Sequence, residues 1–178
     1  MSNSEQSGQD PLVALAREAI EAYVREGKVI QPSVPSAGKS LQAGTFVSLH
    51  RPDGALRGCI GTIEPQTGSV EEEVIANAVS AATADPRLYP LKEDELADID
   101  ISVDVLGPAE EVVDRDELDP KRYGIIIRSL DGRRALLLPD LEGVQTVEQQ
   151  VNITCRKGSI DPDKDEYRIY RFEVERHH

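Results

Sequence analysis

Arg57-Gly58-Cys59-Ile60-Gly61 sets a cation, a thiol and two glycines in five consecutive positions. A cysteine acts as a nucleophile or metal ligand in its thiolate form, which a nearby cation favours. Glycines inside a strand remove side chains, so a ligand or another backbone can come close. Upstream, Ser48 and His50 add a hydroxyl and an imidazole. Cys59, Arg57 and His50 are therefore the candidate catalytic groups, and Ser48, Gly58 and Gly61 candidate binding positions. A purely structural account is also available: Cys59 is a small buried hydrophobe, Arg57 pairs with a carboxylate, and the glycines mark a bulge or close packing on a helix. On spacing alone that account comes first, because most buried cysteines are inert.

Whether these residues meet depends on the register of a hairpin over residues 45–63, two alternating segments around Pro52-Asp53-Gly54. An even-numbered loop sets His50 opposite Arg57 and Ser48 opposite Cys59, and matches Val47 and Leu49 with Ile60 and Gly58. A three-residue loop with Gly54 in the left-handed region suits Pro-Asp-Gly better, but it slides the pairing by one and puts Cys59 opposite Val47. Apolar matching decides the burial of the whole strand, so the first register is the expectation.

The elements around the hairpin have readable ends. Residues 1–9 are small and polar without period and read as a disordered tail. Asp10-Pro11 opens an amphipathic helix over 11–26 that Gly27 stops, and an extended connection follows from 29 to 44. Ser69 and Glu72 form a capping box for a helix over about 70–84, with acidic residues 71–73 at the positive end of its dipole. Its Val70, Val74, Ala78, Ala81 and Ala82 make a small-residue face that can lie close to a sheet. Residues 99–106 alternate as a half-buried strand; Asp98 just before it, with Asp100 and Asp104, reads as a wetted face that three carboxylates could also turn toward a cation. A second hairpin surrounds Asp131-Gly132. Thr146 and Gln149 cap a helix that ends at Lys157, and residues 167–174 read as the last strand. Hairpin-linked strands with interspersed helices and no βαβ rhythm define an α+β fold with a largely antiparallel sheet and flanking helices. His177 and His178 read as a tag remnant, which leaves 10–176 as one domain.

The totals exclude several classes. With 33 acidic against 20 basic residues the net charge is −13, which repels nucleic acid and anionic membrane. No apolar run approaches the roughly 20 residues of a membrane span, and the N-terminus lacks the basic and apolar parts of a signal peptide, so a cytoplasmic protein is expected. Two cysteines make no disulfide scaffold. A zinc site from His50, Cys59 and Cys155 lacks any local ligand pair, so no metal is assigned, and the cofactor is unknown.

The run Leu56-Arg57-Gly58-Cys59-Ile60-Gly61-Thr62-Ile63-Glu64-Pro65 resembles the signature of the AMMECR-type domain family, whose bacterial and archaeal members are known as protein A of the AmmeMemoRadiSam system. Phe46–His50 matches the strand before it, and residues 84–91, Ala-Asp-Pro-Arg-Leu-Tyr-Pro-Leu, resemble the family's second motif. Ile101–Leu106, Tyr123-Gly124-Ile125, Leu137-Leu138-Pro139 and Cys155-Arg156-Lys157 follow in the expected order. The resemblance implies an α+β fold with a main lobe and a smaller one, a site around the signature, and Memo-type and radical-SAM proteins as partners, without naming a reaction. Two functions follow from it as expectations. One is an accessory binding module that holds a small molecule or peptide against the hairpin, with Asp85 and Arg87 in the pocket. The other is an enzyme using Cys59 as nucleophile or thiolate ligand.

Overall fold

Along the chain the helices and strands are α1 (Pro11–Glu26), β1 (Thr45–His50), β2 (Leu56–Gly61), α2 (Val70–Thr83), β3 (Asp100–Leu106), β4 (Glu110–Val112), β5 (Gly124–Ser129), β6 (Arg134–Leu137), α3 (Val147–Lys157), β7 (Tyr167–Phe172) and β8 (Val174–His177). Short 3-10 turns stand at Glu93–Glu95 and Arg115–Glu117. This computed structural model describes residues 9–33 and 41–178. The tail expected over 1–9 therefore falls outside the described residues save for Gln9, as does the 34–40 part of the connection.

The helix ends follow their caps. Asp10 Oδ1 accepts from the N–H groups of Leu12 and Val13 at the head of α1, at 2.9 and 3.3 Å. Ser69 Oγ accepts from Glu72 N at the head of α2, while Glu72 Oε2 turns to Gly68 N, so only half of the expected capping box forms. At α3 the box is complete: Thr146 Oγ1 accepts from Gln149 N, and Gln149 Oε1 from Thr146 N.

Two units share the chain, one reaching to Val105 and including Arg176–His178, the other Leu106–Glu175. In the first, the strands lie in the order β2-β1-β3-β8, and β1 pairs antiparallel with β2 and β3. One face of this sheet supplies Val47, Leu49, Ile101 and Val103 to a core with Ala16, Ala19 and Ile20 of α1 and Val74, Ala78 and Ala81 of α2. In the second, the order is β4-β7-β5-β6, and Ile125, Ile127, Leu137 and Ile169 bury against Val151 and Cys155 of α3. The fold is α+β, as the pattern predicts, with the antiparallel sheet divided in two. The division runs through the strand expected over 167–174: it breaks at Glu173, whose carbonyl accepts from Gly107 N at 2.8 Å. The halves on either side pair in different sheets.

Candidate functional site

The hairpin combines the two registers. Gly54 takes φ +83°, and Arg51 N donates to Ala55 O at 2.9 Å, closing the three-residue loop that Pro-Asp-Gly favours. His50 consequently faces Leu56, which corrects the expectation that it faces Arg57. Between Leu49 and His50 the register shifts, and beyond the shift Leu49 meets Gly58, Ser48 meets Cys59 and Val47 meets Ile60. Arg57 is the extra residue, a β-bulge that lets the loop keep its preferred turn while the strands keep their apolar match. Ser48 Oγ then donates to Cys59 Sγ at 3.3 Å.

Gly58 turns toward α2, where an added Cβ would lie 2.2 Å from Ala81 O, so the small-residue face of α2 and this glycine require each other. Gly61 sits beneath the Phe46 ring, which a Cβ there would meet at 2.3 Å. Both glycines are thus explained by packing inside the fold.

Arg57 is 6% exposed and fully committed. Its Nε and Nη2 grip Glu95 at 2.7 and 2.8 Å, and Nη1 donates to Tyr89 O at 2.9 Å. This fork holds the Glu95 carboxyl down at about 2, against the opposing effect of burial.

β2 is an edge strand, and Cys59 turns its backbone groups outward. Its N–H donates to Asp85 Oδ2 at 3.0 Å, and its carbonyl accepts from Arg87 Nη2 at 3.4 Å. Arg87 Nη2 and Nε also bind Asp85, at 2.7 and 2.9 Å. The pair takes the place of a neighbouring strand and closes this part of the edge. Asp85 is 4% exposed, and the Arg87 guanidinium holds its carboxyl well below the usual carboxylate range. Asp85 and Arg87, suggested by the second motif, therefore touch the backbone of Cys59 directly.

Two polar residues escape a reading by pattern. Glu73, 1% exposed, accepts from Thr62 Oγ1 at 2.6 Å, Thr67 Oγ1 at 2.7 Å and the N–H groups of Gln66 and Thr67 at 2.9 Å. Burial pushes this carboxyl up, but the donors from Thr62, Thr67 and Gln66 outweigh it and leave it below its ordinary value. Asn77 Nδ2 donates to Thr45 Oγ1 and Thr62 Oγ1 at 2.8 and 3.2 Å, tying α2 to the start of β1 and to the residue that follows β2. A run of three glutamates hides which one is buried. The one signal is α2's own period, since Glu73 and Asn77 stand beside Val70, Val74 and Ala81 on its buried face.

On the opposite face of the sheet, cross-strand partners form two rows, Cys59 with Ser48 and Ser102, and Leu56 with His50 and Asp100. His50 thus shares the face of Cys59 but lies one row away. Asp104, expected on a wetted face, is 3% exposed because Arg176 holds both its oxygens, at 2.7 and 3.0 Å. Among the described residues no group of three or more His, Cys, Asp or Glu side chains is placed to hold a metal ion. Cys155 is fully buried, and burial pushes its thiol up. Among the described residues, no helix is long and apolar enough to cross a membrane.

The fold and site define a class: a two-sheet α+β protein with a thiol on a bulged edge hairpin. The chain belongs to the AMMECR1 family, whose sequence pattern matches residues 13–177. A protein of Thermotoga maritima is 51% identical over 172 residues, covering 96% of this chain and 98% of its own. A longer protein of Clostridium acetobutylicum is 47% identical over 177 residues, which cover 98% of this chain and 37% of that one. The crystal structure of an uncharacterized protein from Pyrococcus horikoshii superposes with a TM-score of 0.82 at 32% identity, covering 93% of this chain and 88% of the other.

Proposed function

We propose that this protein is a binding module that acts beside partner enzymes in the cytoplasm and holds a small molecule or peptide on the sheet face around Cys59, Ser48 and the Asp85–Arg87 pair. One observation carries the reading: the charged groups that could drive chemistry are committed to the fold. Arg57 is bound to Glu95 and to loop carbonyls, and Asp85 to Arg87 and the Cys59 amide. What remains at Cys59 is a half-buried thiol that accepts from a serine hydroxyl, a surface for recognition. The family resemblance supports Memo-type and radical-SAM proteins as the partners.

The alternative, an enzyme using Cys59 as nucleophile, has in its favour a half-buried thiol with a polar hydroxyl beside it. Iodoacetamide labelling near pH 7, followed by peptide mass spectrometry, separates the two. The binding module predicts that Cys59 in the folded protein reacts more slowly than in the unfolded chain. A faster reaction than in the unfolded chain would reverse the assignment in favour of the enzyme.

A further inference from the structure

The β1–β2 and β5–β6 hairpins turn on the same dipeptide, Asp53-Gly54 in the first and Asp131-Gly132 in the second. Their main chains are alike. Arg51 N donates to Ala55 O and Ser129 N to Arg133 O, each at 2.9 Å, while Gly54 N donates to Arg51 O at 2.8 Å and Gly132 N to Ser129 O at 3.1 Å. Both glycines are left-handed, at φ +83° and +94°, with nothing within 4 Å of where a Cβ would stand. Both aspartates are exposed, and each Oδ1 accepts from the N–H two residues on, at 2.9 Å from Ala55 and 3.2 Å from Arg133.

The carboxylates are held differently. Arg133 Nε and Nη2 grip Asp131 at 2.8 and 2.5 Å, and Ser129 Oγ donates to it as well. These donors, the guanidinium first, hold the Asp131 carboxyl well below the usual carboxylate range. At Asp53 the Ala55 amide is the one donor among the described residues.

An aspartate followed by glycine is open to attack by its own main chain, because no Cβ shields the glycine amide and its backbone bends easily. The Gly54 nitrogen bonds to Asp53 Cγ, the amide proton and the carboxyl hydroxyl leave together as water, and a five-membered succinimide closes. Water then adds to either imide carbonyl. Opening at Cγ restores aspartate, whereas opening at the main-chain carbonyl leaves the peptide running through Cβ and Cγ, an isoaspartate with a free α-carboxylate. One water leaves and one returns, so the mass is unchanged and nothing is oxidised. The hydroxyl leaves only from a protonated carboxyl, so a carboxylate that a guanidinium fixes in its charged form reacts slowest.

We propose that Asp53 is a site of spontaneous isoaspartate formation in the folded protein, and that Arg133 protects Asp131 from the same change. The modified turn closes the hairpin that carries Cys59, and its main chain gains a carbon. Its new α-carboxylate is the group that an isoaspartyl methyltransferase esterifies, which gives the site a class of enzyme to recognise it.

The purified full chain is aged for weeks at body temperature in mildly acidic buffer, then digested and mapped. The Asp53 peptide is expected to split into two species of equal mass, one of which takes a methyl group from S-adenosylmethionine through a purified isoaspartyl methyltransferase. The Asp131 peptide should stay single. In Arg133→Ala it should split too, while in Asp53→Glu, where the ring would need a sixth member, the peptide around residue 53 should stay single. In urea, with the grip of Arg133 gone, the two wild-type sites should react at similar rates. No isoaspartate at Asp53, or equal rates at the two sites in the folded chain, would overturn the proposal. So would a difference that persists unchanged in urea, because it would then come from local sequence and not from the fold. An Asp131 peptide still single in a folded Arg133→Ala chain would overturn the part given to Arg133; should that variant not fold, the folded and urea-treated wild-type chains decide.

Discussion

At the scale of single residues, the signature resolves into groups with different duties. Cys59 keeps a half-buried thiol outside any ion pair, whereas Arg57 braces a loop and Gly58 clears space for a helix carbonyl. The last duty is testable, because the clash at Gly58 is with backbone and cannot be relieved by turning a side chain. Gly58→Ala should destabilise the protein by about 3 kcal/mol, seen as a lower urea midpoint at unchanged slope. A loss below about 1 kcal/mol would mean that α2 sits farther from β2 than the close approach requires. Strand alternation made the Ser48–Cys59 contact legible, since it follows from period two once apolar residues are matched. The partner of Arg57 was not legible. Glu95 lies 38 residues away among many carboxylates, and nothing local distinguishes it.

At the scale of elements, the hairpin shows how two local rules that conflict can both be satisfied. Turn chemistry alone placed Cys59 opposite Val47, and apolar matching alone placed His50 opposite Arg57. The bulge at Arg57 absorbs one residue and lets each rule hold on its own side. Sequence patterns score turns and strands separately, so the bulge was invisible. The turn is the easier half to test: at Gly54, with φ +83° and open space around it, Gly54→Ala adds only backbone strain. It should cost about 1 kcal/mol by denaturant titration and leave the reactivity of Cys59 unchanged. Altered labelling of Cys59 would show instead that the turn sets the register. Helix ends were legible because caps are local chemistry. The break at Glu173 was not, because apolar residues continue to alternate on both sides of it, and β4 is too short and acidic to stand out.

At the scale of the whole molecule, the acidic total hides a set of carboxylates that the fold holds in the charged form. Glu95 is drawn from 4.5 to about 2 by Arg57, Asp85 is lowered by Arg87, and Glu73 by its hydroxyl and amide donors. For a carboxylate depressed in the native state, the unfolded chain binds the extra proton first. The stabilisation is complete above the unfolded value and disappears as pH falls through the folded one. For Glu95 the window therefore runs from pH 4.5 down to about 2. Its side chain keeps 29% exposure, and solvent screening reduces what the Arg57 pair contributes to on the order of 2 kcal/mol. Glu95→Gln keeps the shape but loses the charge, so at neutral pH the variant should be less stable than wild type by about that amount. Near pH 2 the two should converge, because protonation has by then removed the same charge from the wild type. Urea titrations at intervals across this range test the argument: parallel curves would show that the pair at Arg57 does not couple to the folding of the loop it braces.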